Sequence, residues 1–317
     1  MDYNNIYCDD CICGADNFFE DDSVDLMICD PPFGIKESSF DNLYKRDKSD
    51  IISGYVEAPS DYSDFTFNWL LRARRVLKSN GSLYVISGWT KLGVILNVLQ
   101  SLNFHIINHI IWKFNFGVYT KKKFVTSHYH VLYAVKDKNS NPTFNRFCRF
   151  GPSEKSSDNK ALNYLDMEDT WSINKEYHHG KVKNKNKLPD ELIRKIILYS
   201  SNENDVVCDF FMGNFTTAIV ACKLGRVPVG FELNTSAYKH GMAALDNTTF
   251  GEDLRALKKV DVVLPRNQGK KITQDERNAI VNDFNMKIDE GVSKKKAKQF
   301  LMEKYERGKF SIINIVG

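Results

Sequence analysis

Three short apolar segments of this chain each end in an acidic residue, and this pattern constrains the fold more than any other. Residues 24–29 lead into Asp30, residues 205–208 into Asp209, and residues 227–231 into Glu232. Each segment has the length of a buried strand and is bounded by turn residues. Open α/β sheets bind their ligands at the carboxyl ends of such strands. The pattern therefore predicts an α/β protein with an acidic crevice at one edge of its sheet.

The tetrapeptide Asp30-Pro31-Pro32-Phe33 follows the first of these predicted strands. The two prolines remove two backbone N–H donors, so the carbonyls near Asp30 can face a ligand without competition. A carboxylate, a free carbonyl and the flat ring of Phe33 together suit a planar ring that carries an exocyclic amino group. The alternative is a proline turn that closes the strand, with Asp30 as a helix N-cap.

Residues 205–232 read as one strand–turn–helix–strand unit, with its helix over 216–224 and an acid, Glu232, about 20 positions beyond the turn. Glu232 is placed to accept hydrogen bonds from ribose hydroxyls. The turn contains a single glycine, Gly213, whereas a pyrophosphate needs several for close backbone approach. S-adenosylmethionine has no phosphate and tolerates a bulkier turn. The alternative is a purely structural βαβ corner.

The remaining pattern alternates strands and helices. Strands are predicted over 6–8, 82–86, 104–112 and 129–135, and helices over 64–79, 92–102 and 190–201, the first helix stopped by Asn80-Gly81. Residues 34–63 show no periodicity, which predicts a long functional or mobile loop.

Composition places the chain among intracellular globular proteins. It has 317 residues, enough for one large α/β domain and a small appendage, and its formal net charge is only +4. It contains no apolar run of about 20 residues and no signal peptide at its polar start. Cys8, Cys11 and Cys13 resemble half a zinc site, but no second pair has a matching spacing, so we expect reduced thiols and no metal.

Two regions are rich in basic residues. Residues 136–187 mix Lys and Arg with scattered aromatic residues, which fits either a solvated connector or contacts to phosphates and bases. After the basic linker 266–271, helices are predicted over 274–288 and 294–305, with a third segment near Ser311. This tail resembles the helix-turn-helix modules of resolvase-type proteins. A helical hairpin that packs on the main domain or makes a dimer is the alternative.

Several motifs together resemble a known family. Asp30 to Phe33 resembles the catalytic tetrapeptide of the amino-methyltransferases that modify DNA, and residues 209–217 with Glu232 look like their cofactor loop and second motif. The catalytic motif precedes the cofactor loop, as in the permuted "beta" group. Residues 111–115 and 127–130 resemble its central motifs, and 188–193 the helix over the methionine end of the cofactor.

The resemblance implies a Rossmann-like, S-adenosylmethionine-dependent methyltransferase sheet with circularly permuted motif order and a small α-helical C-terminal appendage. The implied domains are a catalytic domain, 1–265, with a variable target-recognition region over about 136–187, and a tail, 266–317. The implied reaction is methyl transfer to the amino nitrogen of a flipped base. An Asp at position 30 favours adenine, and cytosine remains the alternative.

The resemblance also assigns residues to roles. The catalytic residues are Asp30, Pro31, Pro32 and Phe33. The cofactor-binding residues are Asp10, Cys11, Asp30, Leu188, Asp209, Phe210, Phe211, Gly213, Asn214, Thr216, Thr217, Glu232, Leu233 and Asn234. The residues expected to contact nucleic acid are Lys113, Asn115, Lys121, Lys122, Lys123, Arg146, Arg149, Lys181 and Lys183. The expected partners are double-stranded DNA, a paired restriction endonuclease and a second copy of the chain.

The chain departs from the family pattern at three positions. Phe215 stands where the family turn usually has a second glycine, Phe210 where it often has proline, and Leu188 where it usually has lysine. A phenylalanine beside the cofactor carboxylate would weaken binding unless its ring points away. Phe215 and the tail together leave open a second hypothesis, a catalytically silent DNA-binding protein on the same scaffold.

Overall fold

The computed structural model describes residues 5–32, 61–115, 117, 119, 121–175, 187–254, 267 and 270–317. The chain divides into two compact units, residues 1–260 and 261–317, each described below by itself. The division falls five residues before the predicted boundary at 265/266.

Eight described strands of the first unit form one sheet, in the order β1-β8-β7-β2-β3-β5-β4-β6. The strands are β1 Ile6–Tyr7, β2 Val24–Cys29, β3 Leu77–Ser87, β4 His105–Lys113, β5 His128–Val135, β6 Thr170–Ser172, β7 Val206–Asp209 and β8 Val227–Phe231. Neighbouring strands are parallel except for β5, which runs antiparallel to β3 and β4. The carboxyl ends of β2, β7 and β8 therefore meet at one edge.

Helices cover both faces of this sheet. They are α1 Cys11–Phe18, α2 Tyr62–Val76, α3 Trp89–Ser101, α4 Leu162–Asp166, α5 Asp190–Ser200, α6 Thr216–Lys223 and α7 Thr235–Asp246. One core cluster joins α1, α2 and α3 to one face, and a second joins α5 and α6 to the other. The predicted Rossmann-like α/β fold is confirmed, although neither α1 nor α7 was foreseen.

The predicted stop signal at Asn80-Gly81 is wrong. Helix α2 ends at Val76, and β3 begins at Leu77 and runs through both residues. Leu77 is fully buried and pairs with Val24, so tertiary pairing overrides the local turn preference. Gly81 serves close packing instead, because a Cβ at this position would lie 2.8 Å from the Leu77 side chain.

The described part of the region 136–187 is more than a solvated connector. It contains α4 and β6, and β6 pairs with β4, with Trp112 opposite Trp171. Trp171 is buried in the second core cluster. The predicted loop 34–63 and residues 176–186 of this region lie almost wholly outside the described residues.

The second unit consists of helices α8 Gln274–Asp289, α9 Lys294–Lys304 and α10 Lys309–Val316. They share a core of their own, centred on Ile280, Phe284, Ala297, Leu301 and Ile312. In the described parts of both units, no helix is long and apolar enough to cross a membrane.

Candidate active site

The three acids predicted from the sequence come together at the carboxyl ends of β2, β7 and β8. Cys208 pairs with Met27 on one side, and Asp209 pairs with Gly230 on the other. Continuing both registers places Asp30 and Glu232 level with residue 211, on either side of the turn that follows Asp209. Adjacent strands lie about 4.8 Å apart, so the acids line one short edge.

Asp209 is a buried acid whose two carboxyl oxygens are both occupied by the protein. Its Oδ1 accepts a hydrogen bond from the Phe211 amide at 2.8 Å, and its Oδ2 accepts one from the Thr217 hydroxyl at 2.7 Å. Burial raises the pKa of Asp209 to about 7, with a smaller push from Glu232, against these two bonds. Asp209 thus fixes the turn 210–217 from inside.

Glu232 holds the same turn from the other side. Its Oε2 accepts a hydrogen bond from the Gly213 amide at 2.6 Å, and its Oε1 accepts one from the Asn234 amide at 2.7 Å. Gly213 adopts a positive φ of 49° at the turn. Gly230 lets β8 lie close to the backbone of Asp209, since a Cβ at position 230 would lie 1.9 Å from the Asp209 carbonyl oxygen.

Asp30 differs from Asp209 in its hydrogen bonding. Its Oδ1 is shut off from solvent and, among the described residues, has no hydrogen-bond partner. Burial raises the pKa of Asp30 to about 7, the Asp209 charge adds to the rise, and the Lys175 charge opposes it. A buried acceptor left unpaired is energetically unfavourable, which marks it as a group that awaits a donor.

Lys175 is a site residue that the sequence analysis missed. Its Nζ lies 4.4 Å from the centre of the Phe114 ring and 4.7 Å from that of Tyr129. Burial lowers the pKa of Lys175, and the Asp30 carboxylate opposes that effect. Lys175 lies three residues beyond Ser172, the last residue of β6, so its place at the site depends on the pairing of β6 with β4. The basic and polar sequence around Lys175 does not predict that pairing.

Asp10 and Cys11 lie at the start of α1. Asp10 is the N-cap, and its Oδ1 accepts hydrogen bonds from the Ile12 and Cys13 amides at 2.9 and 3.2 Å. The Cys11 thiol is buried, and burial, with smaller contributions from Asp10 and Asp209, raises its pKa. The start of α1 is therefore close to β7, and the predicted role of Asp10 in cofactor binding stays a prediction.

The other predicted cofactor residues divide by exposure. Phe210 is buried against Phe19 and Phe231, so its ring belongs to the core and only its backbone can line the crevice. Phe211 is half-buried, edge-on to Trp69. The remaining members are buried Thr216 and Thr217, half-buried Leu188, Asn214 and Asn234, and exposed Leu233.

Phe215 points away from these acids. It adopts a left-handed φ of 59° at the start of α6, and its ring is fully buried beside Ile6, Met212 and Leu245. The ring fills a slot above Gly241, where an added Cβ would lie 2.0 Å from it. The substitution of glycine by Phe215 is therefore absorbed by the core beneath α7 and leaves the Asp209 carboxylate clear.

Most of the predicted nucleic-acid contacts are exposed at the carboxyl end of β4 and beyond it. These exposed residues are Lys113, Asn115, Lys121, Lys122, Lys123 and Arg146. Arg149 is different, because its side chain is only 17% exposed and its guanidinium pairs with Asp166 at 2.9 Å and with Glu191. This geometry favours a structural role for Arg149. Phe33, Lys181 and Lys183 lie outside the described residues.

The site fits a cationic, hydroxyl-bearing cofactor. A carboxylate has about four acceptor positions. Asp209 and Glu232 each use two of them in the bonds described above. The clustered buried carboxylates would be relieved by a positive charge, and S-adenosylmethionine carries a sulfonium and an ammonium group. In the described part of the chain, no cluster of His, Cys, Asp or Glu is arranged to hold a metal ion.

Comparison with known proteins identifies the family. A family model described as DNA methylase matches residues 24–243. The chain belongs to this family. Its methyl donor is S-adenosylmethionine, as the site predicts.

Individual relatives agree with this assignment. A DNA adenine methyltransferase of Escherichia coli, YhdJ, is 30% identical over 259 residues, which are 75% of this chain and 82% of that protein. The type II methyltransferase M.HinfI of Haemophilus influenzae is 31% identical over 233 residues, 67% of this chain and 60% of its own. The solved PvuII cytosine-N4 DNA methyltransferase has the same fold, with a TM-score of 0.56 and 16% identity over 79% of this chain and 89% of its own.

The family and the position of Phe215 together change the weight of the two sequence hypotheses. The silent-scaffold hypothesis rested on the tail and on Phe215 beside the cofactor carboxylate, and the Phe215 ring is buried elsewhere. The methyltransferase hypothesis is the one that the family and the arrangement of the acids support.

Proposed function

We propose that this DNA methylase transfers a methyl group to the N6 amino nitrogen of a flipped adenine in double-stranded DNA at a specific sequence. One observation carries the proposal above the others: Asp30 Oδ1 is buried and unpaired in the described structure, whereas both oxygens of neighbouring Asp209 accept hydrogen bonds from the chain. An exocyclic amino group is a donor of the right kind for that oxygen. YhdJ, the relative named as an adenine methyltransferase, supports adenine as the base.

In this mechanism the residues of the chain orient the amino group and take up its proton. Bound S-adenosylmethionine supplies an electrophilic methyl group on a positively charged sulfur. Asp30 Oδ1 and the Pro31 carbonyl accept the two amino hydrogens, which aims the nitrogen lone pair at the methyl carbon. The nitrogen–carbon bond forms as the carbon–sulfur bond breaks, with the electron pair left on sulfur. Asp30, with its pKa raised to about 7, can accept the proton that the nitrogen then loses.

Lys175 keeps Asp30 ready for this role. An ionised carboxylate only accepts hydrogen bonds, whereas the protonated acid also carries an O–H donor and has fewer acceptor positions left. Burial and Asp209 both favour the protonated form of Asp30, and Lys175 is the cation that opposes them. The two rings beneath its ammonium, Phe114 and Tyr129, hold it there by cation–π contacts.

Asp209 and Glu232 organise the cofactor side. Their hydrogen bonds to the backbone of residues 211 and 213 fix the turn, which is proposed to contact S-adenosylmethionine. Glu232 retains acceptor capacity for ribose hydroxyls, and Asp10, Cys11, Leu188 and the exposed Leu233 are proposed to line the rest of the cofactor site. Lys113, Asn115 and Lys121 to Lys123 are proposed to contact the DNA backbone.

The test is nucleoside mass spectrometry of unmethylated, mixed-sequence DNA after incubation with the protein and S-adenosylmethionine. N6-methyladenine is the expected product. Detection of N4-methylcytosine instead would mean that cytosine, the alternative base, is the target. No methylated nucleoside, together with no cofactor binding by calorimetry, would mean a silent DNA-binding protein.

Two finer features of the partners also belong to this proposal. M.HinfI is named as a type II methyltransferase, which supports a paired restriction endonuclease for this chain. Protection of the methylated DNA from a nuclease in the source cell's extract, at the mapped site, is the expected result. The proposed homodimer is tested by sedimentation of the protein alone and with DNA.

A further inference from the structure

The second unit is a bundle of three helices with a core of its own. Helices α9 and α10 are joined by the short turn 305–308, and each of the three helices packs on the other two. In helix-turn-helix proteins the second helix of such a pair enters the major groove while the first crosses the backbone. Helix α10 corresponds to that second helix, and α9 to the first.

Arg307 fixes the turn between these two helices. It is buried, and its guanidinium makes a two-pronged pair with Glu276 of α8, with Nε–Oε1 and Nη2–Oε2 distances of 2.8 and 2.7 Å. Its Nη1 also donates to the Asn267 and Lys270 carbonyls. One side chain therefore ties α8, the turn and the segment before α8 together, which sets the angle at which α10 leaves the turn.

Some charges of this unit are paired within it and others are not. The acids Asp283, Glu276 and Glu290 are neutralised within the unit by Lys304, Arg307 and Lys287. In contrast, several exposed lysines have no ion pair within the described residues, among them Lys294, Lys295, Lys296 and Lys309. Three of them stand in the first turn of α9, where the helix dipole disfavours positive charge. A polyanion bound there would remove this unfavourable interaction.

Helix α10 has a solvent-exposed face opposite its buried face, and this exposed face carries both polar and apolar side chains. Ile312 is fully buried, and Ile315 and Val316 pack against the same core. Phe310, 80% exposed, and exposed Asn314 are four residues apart and so share the opposite face, next to Lys309. Asn pairs with adenine, Lys with guanine, and an aromatic ring contacts the thymine methyl group. An α-helix with its side chains is about 10–12 Å across, and the major groove, about 12 Å wide, admits such a helix.

We propose that residues 270–317 form a second double-stranded DNA-binding module, in which Lys294 to Lys296 contact phosphates and the exposed face of α10 reads bases in the major groove. The module binds a stretch of DNA distinct from the one that contains the methylated base. This inference rests on the second unit alone and does not depend on the chemistry of the first.

The phosphate contacts are tested in the full-length protein with a mixed-sequence duplex of about 40 base pairs and no methyl donor. Lys295→Ala/Lys296→Ala is compared with Arg277→Ala/Lys287→Ala, which removes the same charge from α8. The expected result is a loss of affinity of about tenfold or more in the first variant, with the slope of log affinity against log salt reduced by about 1 to 2. Equal affinities and slopes for the two variants would overturn the proposal.

The reading of bases is tested by selection of bound duplexes from a random pool. Asn314→Ala and Phe310→Ala, both on the exposed face, are expected to erase a sequence preference that lies outside the methylated site and to leave that site unchanged. An unaltered preference in both variants would contradict a recognition role for α10. Loss of self-association by sedimentation, with DNA binding intact, would make this face a dimer contact instead.

Steady-state kinetics of the wild-type enzyme and of Lys295→Ala/Lys296→Ala distinguish a DNA-binding role of these lysines from a purely structural one. On long DNA, Lys295→Ala/Lys296→Ala is expected to raise KM with kcat unchanged, and on a duplex just long enough for the catalytic unit the two proteins should not differ. A change in kcat on both substrates would mean that the substitution disturbs the catalytic unit. Loss of methyl transfer by the wild type would leave the two binding tests intact, so the two proposals fail separately.

Discussion

Asp30 and Asp209 lie at the carboxyl ends of neighbouring parallel strands, and both have a pKa raised to about 7, yet their hydrogen bonding differs. Both oxygens of Asp209 accept hydrogen bonds from the chain, whereas Asp30 Oδ1 has no partner in the described structure. Burial alone therefore does not distinguish a structural acid from a reactive one. The hydrogen-bond partners do, because an acid that the protein leaves unpaired is available to a substrate.

The largest expected effect is a loss of methyl transfer when Asp30 is replaced, and it distinguishes Asp30 from Asp209. Asp30→Asn should lower methyl transfer by about 10² to 10⁴-fold, since it replaces an ionisable acceptor with an amide of the same shape. Its affinity for S-adenosylmethionine should change less than threefold, measured by calorimetry. Near-normal transfer by this variant would remove Asp30 from the mechanism and with it the difference between the acids.

Asp209→Ala should act on the cofactor and on stability. The substitution leaves the Thr217 hydroxyl and the Phe211 amide without their partner, at about 1–3 kcal/mol for each buried group. Cofactor affinity should fall about 10- to 100-fold. The unfolding free energy is best measured at pH 5.5, where both acids are protonated and no buried charge is removed.

Asp30→Ala is the matched control for that measurement. Because no described residue donates a hydrogen bond to Asp30 Oδ1, removal of this side chain should change the unfolding free energy by less than about 1 kcal/mol. Equal destabilisation by the two alanine variants would contradict the contrast in hydrogen bonding.

The pH dependence of stability tests the shared property of the two acids. Their pKa values are raised from 3.8 to about 7, so between these values the folded protein holds protons that the unfolded chain lacks. The unfolding free energy of the cofactor-free protein should therefore rise as pH falls from 7 towards 4, by about 1 kcal/mol per pH unit for each acid. Urea unfolding at several pH values measures it, and Asp30→Asn/Asp209→Asn should lose this contribution.

A smaller effect concerns Lys175. Lys175→Met removes the cation that opposes protonation of Asp30, so the acidic limb of the kcat/KM profile should move to higher pH, by about one unit. Lys175→Arg should restore the wild-type limb, and at pH 9 all three proteins should have similar activity. An unchanged profile in the methionine variant would mean that Lys175 does not act on Asp30.

The three strands that precede the acids, and the position of the acids at their carboxyl ends, could be predicted because local signals agree there with tertiary structure. Asp30, Asp209 and Glu232 each follow a short apolar strand, and the turn before α6 has its own glycine. Helix α1 escaped prediction because its cap, Asp10, stands within a run of acids and cysteines that lacks helical periodicity. The stop at Asn80-Gly81 failed because strand pairing at Leu77 outweighs turn preference.

Other contacts between distant segments could not be predicted. Lys175 reaches the site only because β6 pairs with β4, and nothing local marks residues 170–172 as a strand of that sheet. Arg149 looked like a phosphate ligand by composition, but Asp166 and Glu191 already bind its guanidinium. Phe215 broke a family pattern, and only the glycine at position 241 explains how its ring is accommodated.

The central claim is that Asp30 Oδ1 is kept free for the amino group of the target base. The most direct test is a crystal structure of the protein with a non-reactive S-adenosylmethionine analogue and a duplex that contains its methylation site. The proposed mechanism predicts that the exocyclic nitrogen of a flipped adenine lies within hydrogen-bonding distance, about 2.7–3.2 Å, of Asp30 Oδ1. A structure in which a residue of the chain occupies that oxygen, with the base bound elsewhere, would contradict it.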